Sequence, residues 1–519
     1  MALRLITGRS GQGKTEYLVQ EVIRLSIAHP QKKYYVIVPE QFSLEMQRNM
    51  VKKHPRHGFF NIDVLSFHRL AYRIFAECGY QPGELLEDLG VSMMLRKILS
   101  EGENEFLYFK KSMKKAGFID ELKSMLMEFI GYGVTWEQME EISGQLGENK
   151  ALSNKCAELG RIYEQFDKAI EGRFMVTEQI LDVAREFAKK APMLSEAVFY
   201  FDGFAGFTPV QLAFLKELLK VAGQINITVT IPEFVPGKKG MPENLFHSSK
   251  KTAEALLMLC KENMQEVEEI IKLDAPVSPR FVNNPEIAFL ERHLFQNSRA
   301  AYSEDVERIH MTVCHNPDGE ADYVMHKIEQ LVRQKGYRYR DFAVLSGDVA
   351  EYAAAFKRKA ELLNIPVFED TKKKVSYHSG VEAVRSLFHL AQMDYSYESV
   401  FRYLKSGMSD FGDEEADYLE NYVLYAGIRG YSMWKKPFYR RLKGKEESMI
   451  KELLLLQQQF MKETEQFCLI MKDKEASVRD KMEVLYHTMV KLSFEDKLAY
   501  QAQKAEDRSD FVKAAEYKQ

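Results

Sequence analysis

Gly8-Arg9-Ser10-Gly11-Gln12-Gly13-Lys14-Thr15 satisfies G-x-x-x-x-G-K-[ST] at every fixed position, and its flanks set the fold class. Residues 3–7, Leu-Arg-Leu-Ile-Thr, form a short apolar run that reads as a strand feeding the loop. Residues 16–28 contain neither glycine nor proline and read as the helix that leaves it. The glycines let successive N–H groups converge on one anion. The helix N-terminus adds partial positive charge. Gly8, Arg9, Ser10, Gly11, Gln12, Gly13, Lys14 and Thr15 are therefore the expected contacts of a nucleotide. Lys14 reaches its outer phosphates, and the Thr15 hydroxyl ligates Mg²⁺.

Working outward, strand and helix signals keep alternating. Residues 34–38 read as a strand ending at Pro39, and 63–65 as a third strand. Ser66 is placed to cap a helix running to Glu77. From about residue 82 to 192 apolar side chains recur at helical spacing, predicting helices over 85–100, 118–131, 153–171 and 177–190. The sheet pattern then returns. Ala197-Val198-Phe199-Tyr200-Phe201 is a buried-strand run ending at Asp202, and Thr208-Pro209 opens a helix to about residue 221. A strand follows at 225–231, then a surface loop over 232–246. A second α/β unit is expected from strands at 309–314, 342–346 and 365–368 and helices at 319–335 and 350–363. From residue 381 the chain reads as helical, including 446–471, with no solenoid repeat.

Composition narrows the function classes. With 519 residues and 45% hydrophobic content, the chain can bury several cores. No apolar run approaches a membrane span, and the first residues lead straight into the loop rather than into a cleavage site. Five cysteines, Cys78, Cys156, Cys260, Cys314 and Cys468, lie far apart without a C-x-x-C pair. That pattern fits a reducing, cytoplasmic setting and no metal cluster among them. The net charge of −4 gives no global basic field. Zinc-protease spacing and a G-x-S-x-G nucleophile turn are both absent from the sequence.

Asp202, at the end of a buried strand, is the expected second Mg²⁺ ligand. Read alone, Asp202-Gly203 is also a common strand-end turn pair. In many such sites a glutamate follows and positions the attacking water. Gly203 stands there, and the next carboxylate downstream is Glu217. The expectation is ATP–Mg²⁺ binding without efficient turnover.

These segments resemble a known family. Asp202-Gly203-Phe204-Ala205-Gly206-Phe207-Thr208-Pro209-Val210-Gln211 aligns without gaps on the D-E-F-Q-D-T-N-x-x-Q segment of UvrD-like superfamily 1 helicases. Ser66-Phe67-His68-Arg69-Leu70-Ala71-Tyr72-Arg73-Ile74 resembles their T-F-H-S-F/L-A-x-R-I motif. Tyr339-Arg340-Asp341-Phe342-Ala343-Val344-Leu345 and Leu363-Asn364-Ile365-Pro366-Val367 resemble later strands of the same group. Val38-Pro39-Glu40-Gln41 and Phe201-Asp202-Gly203-Phe204 with Phe207-Thr208-Pro209 are similar to the B subunits of AddAB-type helicase–nucleases.

The resemblance implies two RecA-like P-loop domains of superfamily 1 type, each carrying a helical insertion. The first would comprise residues 1–80 and 193–285 around an insertion at 81–192; the second, 286–385, would be followed by an incomplete insertion at 386–519. It implies a heterodimer with an AddA-type motor and nuclease subunit, processing double-strand DNA ends for recombinational repair. The B subunit would scan the single-stranded 3′ tail for the regulatory Chi sequence. A nuclease domain and an iron–sulfur cluster would lie beyond Gln519, so no cysteine here is carried over as a cluster ligand.

Three departures argue against an independent motor. Gly203 replaces the catalytic glutamate, Cys314-His315-Asn316-Pro317 lacks the arginine of the N-Y-R-S motif, and only six residues precede Thr7, leaving no room for an adenine-reading glutamine motif. A self-sufficient UvrD-like helicase and a non-enzymatic scaffold with a vestigial loop are the alternatives.

The resemblance also maps a DNA-reading surface onto Gln41, Ser43, Phe67, Arg69 and Tyr72, with Glu40 adjacent. Glutamine and arginine read base edges, and tyrosine stacks. Phe67 shares a helical stripe with Leu70, Ala71 and Ile74, which is equally the pattern of a core face, whereas Arg69 and Tyr72 lie off it. The basic runs at 110–115 and 372–374 read as solvated surface.

Overall fold

The computed structural model describes residues 2–518 except 103, 114, 116, 147–148, 233, 238–243, 296–298, 370–377 and 439–446. Lys114 and the basic run at 372–374 lie outside the described residues, as does part of the loop expected at 232–246. The chain divides into two compact units, Met1–Thr312 and Val313–Gln519.

Unit one is an α/β layer structure. Its elements in chain order begin β1 (Ala2–Gly8), α1 (Lys14–Ala28), β2 (Tyr34–Ile37), α2 (Ser43–Lys53), β3 (Ile62–Leu65) and α3 (Phe67–Glu77). A mainly helical insertion follows: β4 (Glu84–Leu85), α4 (Asp88–Glu101), α5 (Phe118–Tyr132), α6 (Trp136–Gln145), α7 (Lys150–Ile170), β5 (Phe174–Met175) and α8 (Ile180–Phe187). The sheet resumes with β6 (Val198–Phe201), α9 (Pro209–Leu218), β7 (Gln224–Thr230), α10 (His247–Glu262), β8 (Glu266–Val267), β9 (Ile271–Leu273) and α11 (Pro285–His293).

The main sheet runs β3-β2-β6-β7-β1-β8, with β9 also on β1, and all these pairings are parallel. Parallel strands need both faces covered, which is why these strands are nearly continuous apolar runs. On one face Leu5, Ile37, Phe199, Phe201 and Ile227 pack with α3, α8, α9 and α10. On the other, Val36, Val198 and Tyr200 pack with Leu18, Val22, Met46 and Met50 of α1 and α2. Because the strands are parallel, the turns after β1, β2, β3, β6 and β7 all gather at one edge. That is where open α/β sheets hold ligands.

Local signals lock most of these elements. The Ser66 hydroxyl accepts from the Arg69 N–H at the start of α3. Thr208 and Gln211 form a capping box at α9, with Pro209 in its first turn. The insertion carries its own core, including Leu95, Leu126, Ile162 and Phe166. It differs from the expected all-helical form in two ways. Helix α6 is not among the expected helices, and of its residues only Met139 is buried. Leu85, expected in a helix, instead pairs in the small β4–β5 sheet.

Unit two comprises α12 (Pro317–Lys335), α13 (Val349–Leu363), α14 (Ser379–Gln392), α15 (Tyr397–Leu404), α16 (Asp413–Ala426), α17 (Tyr431–Lys435), α18 (Glu447–Lys472), α19 (Val478–Lys491), α20 (Phe494–Asp507) and α21 (Phe511–Lys518). Its main core gathers Leu387, Tyr403, Leu419, Trp434 and Phe460. The strands expected at 309–314, 342–346 and 365–368 are a correction: none forms, and none of the described residues of unit two is in a strand. Met311, Val313, Leu345 and Phe368 are each at least 90% exposed. A short apolar run has strand propensity, but a parallel strand exists only against a hydrogen-bonded neighbour.

Candidate functional site: the carboxyl edge of the first sheet

β1 delivers Gly8 to this edge, and α1 starts at Lys14. Between them Gly11 and Gly13 take φ of +79° and +87°, values that side-chain-bearing residues resist. Lys14 donates from Nζ to the carbonyls of Gly8 and Arg9, at 2.9 Å each, and so lies folded across its own loop. Burial pushes its ammonium down to about 8, with the field of Asp202 opposing that and the charge of Arg280 adding to it.

Thr15 Oγ1 donates to Asp202 Oδ2 at 2.7 Å, joining the loop to the end of β6. The other carboxylate oxygen, Oδ1, accepts from Thr228 Oγ1 on β7 at 2.6 Å. Asp202 is buried and thus held at both ends by hydroxyls. The Thr15 hydroxyl and the Asp202 carboxylate are a hard-oxygen donor set of the kind Mg²⁺ takes alongside phosphate oxygens and water. Thr228 is a site residue that the sequence reading does not include, though a signal exists: Asn226 and Thr228 alternate as polar residues within an otherwise apolar buried strand.

That polar row continues beneath α1. Arg4, Asn226 and Tyr200 stand in register across β1, β7 and β6. Arg4 pairs with Glu21 of α1 and donates to Asn226 Oδ1 at 2.7 Å. Glu21 also accepts from Tyr200 at 3.0 Å and from Tyr17 at 3.3 Å. This network fixes α1, and with it the loop, on the sheet.

The other loop residues are used differently. The Arg9 guanidinium contacts Glu291 at 3.3 Å and the Arg292 carbonyl at 2.9 Å, on α11. The Gln12 side chain exchanges hydrogen bonds of 3.0 and 3.1 Å with the backbone of Ala275. The side chains of these two residues are thus bonded to segment 275–292, and the Gln12 N–H donates to the Arg9 carbonyl within the loop. Gly203, immediately after Asp202, sits at φ +81° with Pro39 alongside.

The residues expected on DNA differ in exposure. Gln41 and Arg69 are exposed, and Tyr72 is 39% exposed with its ring edge against Phe75 at 6.0 Å. His68 lies 3.9 Å from Glu40, which brings the start of α3 beside the turn after β2. Phe67 is 5% exposed and ringed by Phe201, Phe204, Phe207 and Phe214, on the core side of the stripe it shares. Ser43 is buried too, its hydroxyl donating to the Glu40 carbonyl. Phe42, next to Gln41, is a 44% exposed ring that the sequence reading does not single out.

A parallel sheet whose first strand enters a G-x-x-x-x-G-K-T turn, with a buried aspartate at the end of β6, defines an α/β protein of the P-loop type. The family model described as "ADDB, N-terminal" matches residues 5–291, more than half of the chain, and the chain belongs to that family. It is 32% identical to the B subunit of the ATP-dependent helicase/deoxyribonuclease of Lachnoclostridium phytofermentans, an alignment spanning all of this chain and 46% of that protein. The protein of the same name from Caldanaerobacter subterraneus subsp. tengcongensis is 30% identical, over 100% of this chain and 45% of its own length. That of Acetivibrio thermocellus is 33% identical over 84% of this chain and 38% of its own length. The chain thus spans less than half the length of these curated relatives. Among the described residues no helix is long and apolar enough to cross a membrane.

Proposed function

We propose that this chain is the helicase-like portion of the B subunit of a heterodimeric helicase–nuclease that processes DNA ends for recombinational repair. It binds ATP–Mg²⁺ at the loop of β1 and single-stranded DNA at the neighbouring turns, while an AddA-type partner supplies propulsion. The observation that carries this reading is the 2.7 Å contact between Thr15 and Asp202 beside a glycine where a water-positioning carboxylate would stand. Mg²⁺ bound there would neutralise developing charge on the phosphates. Thr15 and Asp202 would hold it, Thr228 would orient the carboxylate, and Lys14 would swing from its carbonyl partners onto the outer phosphates.

In this reading residues 1–80 and 193–285 form a first RecA-like domain and 81–192 its insertion, while 286–385, which carries no strand of its own among the described residues, corresponds in chain order to part of a second such domain and 386–519 to part of a second insertion. Gln41, Arg69 and Tyr72 contact the passing strand, which is scanned for Chi. Nuclease activity and an iron–sulfur cluster are, in this reading, assigned to no residue of this chain.

The test is a paired measurement on the chain: Mg²⁺-dependent binding of a fluorescent ATP analogue, and phosphate release with and without single-stranded DNA. Binding without DNA-stimulated release is the expected result. Brisk DNA-stimulated release would make the chain a self-sufficient helicase. DNA binding without nucleotide binding would make it a scaffold.

A further inference from the structure

Segment 274–292, which follows β9, lies against the phosphate-binding loop at several independent points. A methyl group at Gly8 would come 2.5 Å from the Leu273 carbonyl oxygen, so the loop and this strand end are in close contact. The Gln12 amide is bonded at both ends to Ala275, and Arg9 is bonded to Glu291 and Arg292. At Gly11 a methyl group would lie 2.6 Å from Ser278 Oγ and 3.1 Å from the Arg280 Cβ.

Two features of this contact point to a ligand. Ser278 is 6% exposed, yet its hydroxyl has no hydrogen-bond partner among the described residues. An orphaned buried hydroxyl forfeits its hydration without return, so such groups are rare unless a ligand completes them. Arg280 is exposed with its Cβ beside Gly11, its charge acts on Lys14, and no carboxylate among the described residues pairs with it. Lys14, held by loop carbonyls, with Arg280 and the unused Ser278 hydroxyl makes a cationic, donor-rich turn suited to an anion. Guanidinium groups bind phosphate oxygens in a bidentate fork, and an arginine supplied in cis is a known way to hold a nucleotide's phosphates.

We propose that segment 274–292 is the second wall of the nucleotide site, with Arg280 and Ser278 binding the phosphate chain of a nucleoside triphosphate opposite the loop. The bonds from Gln12 and Arg9 hold this wall in place, leaving Arg280 and Ser278 to the ligand. The inference rests on the nucleotide-binding reading above and adds its second set of contacts.

The test uses the whole chain with Mg²⁺-ATP and with inorganic tripolyphosphate as a competing probe. Arg280→Ala should weaken both by about 10- to 100-fold, the size of a charge-assisted contact, and Arg280→Lys should recover part of the loss. Ser278→Ala should weaken both by a few-fold. Melting temperature should stay at the parent value for Arg280→Ala, since that side chain is exposed and has no ion-pair partner among the described residues. If Lys14→Ala abolishes binding while Arg280→Ala leaves it unchanged, the second wall is wrong and the site stands. If Arg280→Ala tightens binding, the segment is a plug and the proposal is overturned. If Lys14→Ala binds as the parent does, the nucleotide reading itself fails.

Discussion

The Thr15 hydroxyl and the Asp202 carboxylate, 187 positions apart in sequence, are joined by a hydrogen bond of 2.7 Å. The helical insertion between β3 and β6 accounts for most of that separation, yet it leaves the two strand ends on the same edge. Thr228 closes the arrangement from the far side of the carboxylate. Replacing Thr228 by valine keeps the shape and removes the donor. Mg²⁺-dependent ATP affinity should drop about tenfold, the worth of one hydrogen bond to a charged group. Binding measured in EDTA should be unaffected; an equal loss there would mean the hydroxyl acts on the fold rather than on the carboxylate.

Restoring a glutamate after Asp202 should not restore turnover. Gly203 is at φ +81°, where a side chain costs about 1–2 kcal/mol. Gly203→Glu is expected to lower stability by that amount in a denaturant melt and to leave DNA-stimulated phosphate release at the parent level. A large rise in release would show that the missing acid alone limits the site.

Glu21 is buried and holds Arg4, Tyr17 and Tyr200 together, the first of them as an ion pair. Removing Glu21 leaves Arg4 with Asn226 and the more exposed Glu268 at 3.8 Å, so the loss is at most about 3–5 kcal/mol, that of a stranded charge. Glu21→Ala should therefore lower the unfolding free energy of unit one by that order, read from urea titration. A change under about 1 kcal/mol, the range of an exposed ion pair, would mean Arg4 turns to Glu268 or solvent instead.

Neighbouring residues on α3 should separate cleanly. Phe67→Ala opens a cavity among four phenylalanines and should destabilise by about 3–5 kcal/mol. Arg69→Ala should leave the melting curve unchanged and weaken single-stranded DNA binding, measured by anisotropy at fixed salt. Unchanged DNA affinity in Arg69→Ala would remove this helix from the proposed interface.

Unit two carries a pH signature. Burial pushes the Glu463 carboxyl above its usual range, partly offset by the hydrogen bond from Tyr403 at 2.8 Å. The folded state then binds this proton more tightly than the unfolded state does. Its contribution is complete below the unfolded carboxyl range and is lost as pH rises through the raised folded value. Glu463→Gln should melt like the parent in acid and above the parent at pH 8. Equal melting temperatures at both pH values would count against the shift.

The order of elements in the first sheet, the loop, and the caps at Ser66 and Thr208 are legible because each is written in contiguous residues. Periodicity, a glycine pattern or a capping hydroxyl acts over a few positions and needs no distant partner. Asp202 is legible for the same reason, as the polar end of an apolar strand. Phe67 is ambiguous in sequence because one stripe of a helix reads alike whether it meets a core or a base; four surrounding rings decide it.

Other features exist only once the chain has folded. Thr228 becomes a partner of Asp202 through the register of β7 beside β6, and register is a property of two strands. Ser278 and Arg280 reach the loop because β9 pairs with β1, joining Ile6 to Ile271, a contact that no local pattern encodes. The runs at 309–314, 342–346 and 365–368 have the composition of buried strands and remain unpaired, because hydrogen-bonded neighbours, not propensity, make a sheet. Sequence determined which segments could be strand, helix or phosphate loop; the tertiary structure decided which of them found partners, since pairing and burial are long-range terms.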